Sequence, residues 1–253
     1  MQAMLNRTSP KTFADLVGFP NCLRTPVGGP GEAHGTTVLA LRFRDGILNL
    51  ADRRATSANY VMYDRAEKVF ALDEYTLMAV SGSFARSVEI ARYLRHAFKY
   101  YARNQLQELS LEGKLHEVSR ALAGNLPVTM EGIGLFLPLV SAYDESKEEF
   151  GIYFYDAMGA RFESGAFGAA GSGAERIRGV FDYVVRTKGP FEERSLGEVL
   201  REGLTMLDIA SQLDAATGGL ERIPPIARVL TREGISDVDS GELLSAIKEV
   251  CGR

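Results

Sequence analysis

The chain has 253 residues, 45% of them hydrophobic and 25% charged, a balance that fits one large soluble domain or two small ones around a sizeable core. A formal charge of −4 and a pI near 5.6 argue against nucleic-acid binding, which normally uses a clustered basic surface to neutralise phosphates. Cys22 and Cys251 stand near opposite ends without CxxC spacing, and His34, His96 and His116 are not spaced as metal ligands. No metal site, disulfide framework or cofactor is expected, and a reducing cytoplasm fits. The first thirty residues lack the apolar run of a signal peptide, and no stretch reaches the roughly eighteen apolar residues of a membrane span. The expected protein is neither exported nor membrane-bound.

The first 35 residues end in Pro26-Val27-Gly28-Gly29-Pro30-Gly31-Glu32-Ala33-His34-Gly35, which has neither a helical nor a strand period and reads as a flexible linker. Within this leader, residues 12–17 offer at most a short amphipathic turn. The pattern changes at Thr36. Thr37, Leu39, Leu41 and Phe43 alternate with Val38, Ala40 and Arg42, and Asp45-Gly46 reads as a turn into Ile47-Leu48-Asn49-Leu50-Ala51. This is a β-hairpin signature.

Further strands are expected at 60–63, 66–72 and 75–81. Residues 84–103 then place Phe84, Val88, Ala91, Leu94, Phe98 and Tyr101 on one stripe, which predicts a helix, and 111–125 repeats the switch. The second half follows the same order, with strands at 133–143, 149–155 and 160–170, helices at 173–187 and 195–213, a strand at 226–231 and a helix at 240–250. The charge-rich 189–202 stretch reads as a solvated loop and helix start. Grouped strands and paired helices predict a layered α+β domain rather than an alternating parallel sheet.

Gly35-Thr36-Thr37 lies where the leader meets the first folded strand. A glycine there lets the backbone bend until the next side chain reaches the preceding carbonyl. A threonine freed at that point carries a hydroxyl nucleophile and an α-amine that can serve as its base. Taken alone, Asp52 reads as a strand-end carboxylate paired with a neighbouring arginine, and Lys68 as an exposed strand lysine. Val80-Ser81-Gly82-Ser83 and Ala170-Gly171-Ser172-Gly173 read as strand-to-helix turns.

In combination these segments resemble proteasome β subunits. Gly-Thr-Thr after a leader, Asp52-Arg53-Arg54-Ala55-Thr56 sixteen residues on, Lys68-Val69-Phe70 sixteen further, a strand ending in Ser81-Gly82, then Gly171-Ser172-Gly173 and Asp214-Ala215-Ala216-Thr217-Gly218-Gly219 occur in the family's order. The likeness is strongest to the actinobacterial kind, in which Ser110-Leu111-Glu112-Gly113-Lys114 and Asn125-Leu126-Pro127 also look familiar. It covers nearly everything after residue 33.

The resemblance implies a four-layer αββα sandwich of the N-terminal nucleophile hydrolase type. Residues 1–35 become a propeptide removed by autocatalytic cleavage at Gly35-Thr36, and residues 36–253 the catalytic domain. It assigns Thr36 as nucleophile, Asp52 and Lys68 as its charged partners, Arg54 beside them, and Gly82 as the oxyanion donor. Ser172, Asp214 and Thr217 match the polar group that orders the threonine amine. Ala55, Thr56, Ala66, Phe70, Val80, Phe84 and Val88 fall where the family builds its substrate cleft, Phe84 being larger than the residue expected there.

The implied activity is that of a cytoplasmic threonine endopeptidase acting on unfolded proteins. Its implied partners are proteasome α subunits, further β subunits in a heptameric ring stacked as αββα, and an ATPase unfoldase ring acting through the α ring. The competing readings are a self-processing amidase of the same fold and a non-catalytic ring subunit. The simpler two-ring peptidase paired with an unfoldase is also similar, but its subunits are shorter and lack such a leader.

Overall fold

The computed structural model describes residues 36–57, 60–131 and 134–252. The expected leader, its turn at 12–17, Gly35, His34 and Cys22 lie outside the described residues.

Strand β1 (Thr37–Phe43) pairs antiparallel with β2 (Gly46–Ala51), Phe43 opposite Gly46. The connecting turn is therefore Arg44-Asp45, one residue earlier than the Asp45-Gly46 expected. Alternation along β1 sends Leu39, Leu41 and Phe43 to one face and Val38 and Ala40 to the other, and all five are buried. A strand that buries both faces lies between two layers.

Those layers follow from the remaining elements. β3 (Ala55–Ser57) and β4 (Tyr60–Tyr63) form a separate two-stranded ribbon. β5 (Val69–Ala71) and β6 (Thr76–Gly82) lead into helices α1 (Phe84–Gln105) and α2 (Leu111–Met130). After β7 (Phe136–Asp144), β8 (Glu149–Tyr155), β9 (Arg161–Ser164) and β10 (Phe167–Gly171) come α3 (Ala174–Lys188) and α4 (Leu196–Leu213). β11 (Ile226–Thr231), β12 (Gly234–Asp237) and α5 (Ser240–Cys251) follow.

One antiparallel sheet runs β10-β1-β2-β11-β12 and the other β5-β6-β7-β8-β9. Val38, Ala40, Ile47, Leu77, Leu139 and Ile152 fill the space between them. Leu39, Leu41 and Leu50 pack outward on α3, α4 and α5, while Met78, Val80 and Val140 pack on α1 and α2. The result is the expected αββα sandwich. Among the described residues, no helix is long and apolar enough to cross a membrane.

Three further local expectations change. The single strand expected at 160–170 is two, β9 and β10, which belong to different sheets. The chain bends at Gly165-Ala166, and alternation cannot reveal a change of sheet when the period continues on both sides. Helix α2 passes through Pro127 and ends at Met130 rather than at 125; the Asn125 amide donates to the Gly134 carbonyl at 2.7 Å and holds that last turn. In the 189–202 stretch Phe191 is fully buried rather than solvated, while α4 starts where the helix is expected, at a capping box in which Ser195 and Glu198 exchange bonds.

Candidate active site

Asp52 follows β2 and is 2% exposed. Its Oδ1 accepts the backbone N–H of Thr37 at 2.8 Å, and its Oδ2 accepts those of Arg54 and Gly218, both at 2.9 Å. A buried carboxylate is tolerated only when its lone pairs are occupied by donors or a cation. The cation is Lys68, whose Nζ lies 2.8 Å from Oδ1 and donates also to the Arg54 carbonyl at 2.5 Å.

Lys68 is 1% exposed, which overturns its reading as an exposed strand lysine. Asp52 does not take the neighbouring arginine side chain either. The Arg54 guanidinium turns to Asp64 at 3.3 Å and to the carbonyls of Ala215 and Thr217. Burial holds the Lys68 ammonium below the ordinary lysine value, against the opposing pull of the Asp52 carboxylate.

Thr36 is buried and precedes β1, on the strand face that Val38 and Ala40 direct between the sheets. Its carbonyl meets Gly171, the last residue of β10, so closely that a Cβ there would stand 2.0 Å from the oxygen, and Gly171 has φ +105°. Only glycine fits both the contact and the dihedral.

Thr37 faces the helical layer instead, where its hydroxyl lies 2.7 Å from that of Thr217. The Thr217 hydroxyl donates to Asp214 Oδ2 at 2.7 Å, and Ser172 donates to the same oxygen at 2.5 Å. Thr217 has one proton and the Asp214 carboxylate can only accept, so Thr37 is the donor to Thr217. Partial burial pushes the Asp214 carboxyl up, but the bonds from Ser172, Thr217 and the Ala216 N–H leave it below its usual value. Ser172 Oγ also stands 3.4 Å from the Thr36 carbonyl.

Gly82 ends β6 opposite Phe136 on β7. It has φ +94°, and a Cβ would meet the Leu135 carbonyl at 2.1 Å. Sequence similarity decides what this arrangement belongs to. The proteasome subunit family model matches residues 32–221, well over half of the chain. This chain belongs to the proteasome subunit family.

The proteasome subunit beta of Acidimicrobium ferrooxidans is 33% identical over 239 residues, covering 91% of this chain and 85% of that protein. That of Streptomyces griseus is 33% identical over 231 residues, covering 88% and 80% respectively. The Acidothermus cellulolyticus subunit is 31% identical over 241 residues, covering 92% and 81%.

In this proteasome-family chain the expected cleft residues fall in three places. Phe70, Val80 and Val88 join one apolar cluster between the second sheet and α1, and Phe84 opens α1 half-buried. Ala55 and Thr56 lie on β3, across from Tyr63 and Val61 on β4. Ala66 is buried in the segment before β5, its N–H bonded to the Arg53 carbonyl at 2.9 Å.

Two residues enter the network in roles that no motif assigns. Thr37 bonds Asp52 through its amide and Thr217 through its hydroxyl, although in Gly35-Thr36-Thr37 the chemistry is expected of Thr36 alone. Asp64 takes Arg54 at 3.3 Å and Arg222 at 3.5 Å. Nothing in their spacing signals either role, since Thr37 and Thr217 are 180 residues apart.

Proposed function

We propose that this chain is the catalytic β subunit of a proteasome, a threonine endopeptidase activated by cleavage of its own Gly35-Thr36 bond. The observation that carries the reading is the buried Lys68–Asp52 pair, bonded through Asp52 to the amide of Thr37, the residue next to the proposed nucleophile. A lysine buried at this cost, next to the proposed nucleophile, favours a catalytic subunit over a non-catalytic one.

In the precursor the Thr36 nitrogen is an amide. The Thr36 hydroxyl attacks the Gly35 carbonyl carbon, the acyl group moves from nitrogen to oxygen, and water hydrolyses the resulting ester. Residues 1–35 leave with a carboxyl terminus, and Thr36 gains a free α-amine.

In the mature enzyme that amine is the base. With a pKa of about 7.7–8.0 it is roughly a quarter to two-fifths neutral near pH 7.5, whereas an ordinary lysine at about 10.4 is neutral in about one molecule per thousand. Even with its pKa lowered, Lys68 serves as a positive field that favours the alkoxide and lowers the amine's pKa. The amine takes the Thr36 hydroxyl proton as the oxygen attacks the peptide carbonyl, and the Gly82 N–H stabilises the oxyanion. The amine then gives the proton to the leaving peptide nitrogen. Water attacks the acyl ester, returns a proton to the threonine oxygen and releases the second product. Ser172, Asp214 and Thr217 order the amine, and Arg54 ties their turn to Asp52.

The partners in this reading are proteasome α subunits, six further β copies in a heptameric ring, and an ATPase ring that supplies unfolded protein. The run Tyr60, Val61, Met62 and Tyr63, all exposed in the single chain, supports assembly, because contiguous exposed apolar side chains mark interaction surfaces. N-terminal sequencing and peptidase assay of assembled particles test the proposal. A mature chain starting at Thr36 with 253 − 35 = 218 residues, and an inactive Thr36→Ala variant that keeps its leader, are expected. Full activity in Thr36→Ala would refute it.

A further inference from the structure

Lys68 sits one residue before β5, which is only three residues long and forms the edge of its sheet. The Val80 N–H donates to the Lys68 carbonyl at 2.9 Å, so that carbonyl points toward β6. By the period of a strand, the carbonyls of Val69 and Ala71 then point away from β6, where an edge strand has no ladder partner.

Both carbonyls are met by arginines. Arg95 of α1 donates to the Ala71 carbonyl at 2.6 Å. Arg228 of β11, in the other sheet, donates to the Val69 carbonyl and places the same Nη1 2.9 Å from Glu67 Oε1. Its Nε is fixed on Asp237 of β12 at 2.8 Å.

We propose that Arg228 is a positioning residue for Lys68, a polar brace that fixes the edge of one sheet against the other. Its two contacts flank Lys68 on either side in sequence. Its own strand pairs with β2, Arg228 opposite Asn49 and Ile226 opposite Ala51, and Asp52 follows directly from β2. The Asp52–Lys68 pair is built across two sheets, and Arg228 links the strand beside Asp52 to the backbone beside Lys68.

A guanidinium suits this place because its planar fork spreads its donors, Nε toward Asp237 and Nη1 toward the Val69 carbonyl and Glu67, whereas an ammonium carries its three donors on one atom. The inference rests on the role proposed for Lys68.

The test uses particles assembled from residues 36–253 expressed behind a removable tag, as wild type and as Arg228→Met, Arg228→Lys, Asp237→Asn and Lys68→Ala, so that failed self-processing does not enter the measurement. Misplacing a catalytic group by about 1 Å can cost up to ~100-fold, so Arg228→Met is expected to lower kcat about 10-fold while leaving KM within about twofold. Arg228→Lys should recover part of the loss. Asp237→Asn, which removes only the exposed far arm, should keep kcat.

Wild-type kcat in Arg228→Met, or a lower thermal midpoint with kcat and KM unchanged, would overturn the inference. Should Arg228→Met fail to assemble, Arg228→Lys decides: reduced kcat with KM held supports the brace, and unchanged kcat refutes it. Lys68→Ala separates the levels. If it is fully active, the reading of the site fails; if it is inactive while Arg228→Met behaves as wild type, only the brace fails.

Discussion

Asp52 Oδ1 stands 2.8 Å from the Lys68 ammonium and 2.8 Å from the Thr37 amide nitrogen, so one oxygen joins a side chain of one sheet to the backbone of the other. Its second oxygen accepts two more N–H groups. No neutral side chain reproduces four such contacts.

Asp52→Asn should therefore be more damaging than the loss of one charge. Whichever carboxamide position carries the NH2, it faces donors: Thr37 N–H and Lys68 on one side, Arg54 and Gly218 N–H on the other. Removing one partner of a buried pair costs about 3–5 kcal/mol, and chemical denaturation of the isolated chain should show a loss of that order.

Lys68→Arg keeps the charge but not its shape, and peptidase activity should fall by about 10² or more, the usual cost of losing one preorganised electrostatic group. Lys68→Ala should be worse. Expressing residues 36–253 behind a removable tag separates catalysis from processing; near wild-type turnover in Lys68→Ala made this way would return Lys68 to a structural role.

The pH profile of kcat/KM should be bell-shaped. In the proposed mechanism the α-amine must lose its proton on the acid side. On the alkaline side Lys68 must keep its own, and because burial lowers its pKa, activity should fall at a pH below the ordinary lysine value of about 10.4. The sign for stability is opposite: between the folded and unfolded pKa values the unfolded chain binds more protons at this lysine, so its contribution increases as pH rises through that window. Stopped-time peptide assays from about pH 6 to about pH 10.5 should show an alkaline limb that the residual activity of Lys68→Arg lacks.

Gly171→Ala would place a Cβ 2.0 Å from the Thr36 carbonyl at φ +105°. The dihedral alone costs about 1–3 kcal/mol, and relief of the clash must move Thr36. Intact-mass measurement should find the leader retained or removed slowly, with a lowered thermal midpoint.

Substrate preference should favour apolar residues before the cleaved bond. Ala55, Ala66, Val80 and Val88 present no charge to pair with a basic or acidic side chain, and burying an unpaired charge is costly. Tyrosine- or leucine-ended fluorogenic peptides should be cleaved faster than arginine-ended ones; the reverse order would show that other residues shape the pocket.

The sequence by itself determined the faces of the elements. Period-two alternation in β1 and helical stripes in α1 and α2 show which side chains must be buried, because burial acts on each segment locally. It also determined the order of Gly-Thr-Thr, Asp-Arg-Arg and Lys-Val-Phe that carries the family likeness. Only the tertiary structure decided the finer contacts: that the Arg54 guanidinium turns to Asp64, that Thr37 reaches Thr217, that 160–170 divides between two sheets, and that Arg228 grips the backbone beside Lys68. These depend on how strands 15 to 180 residues apart are brought together, and a periodic pattern records which way a side chain points but not what stands opposite it.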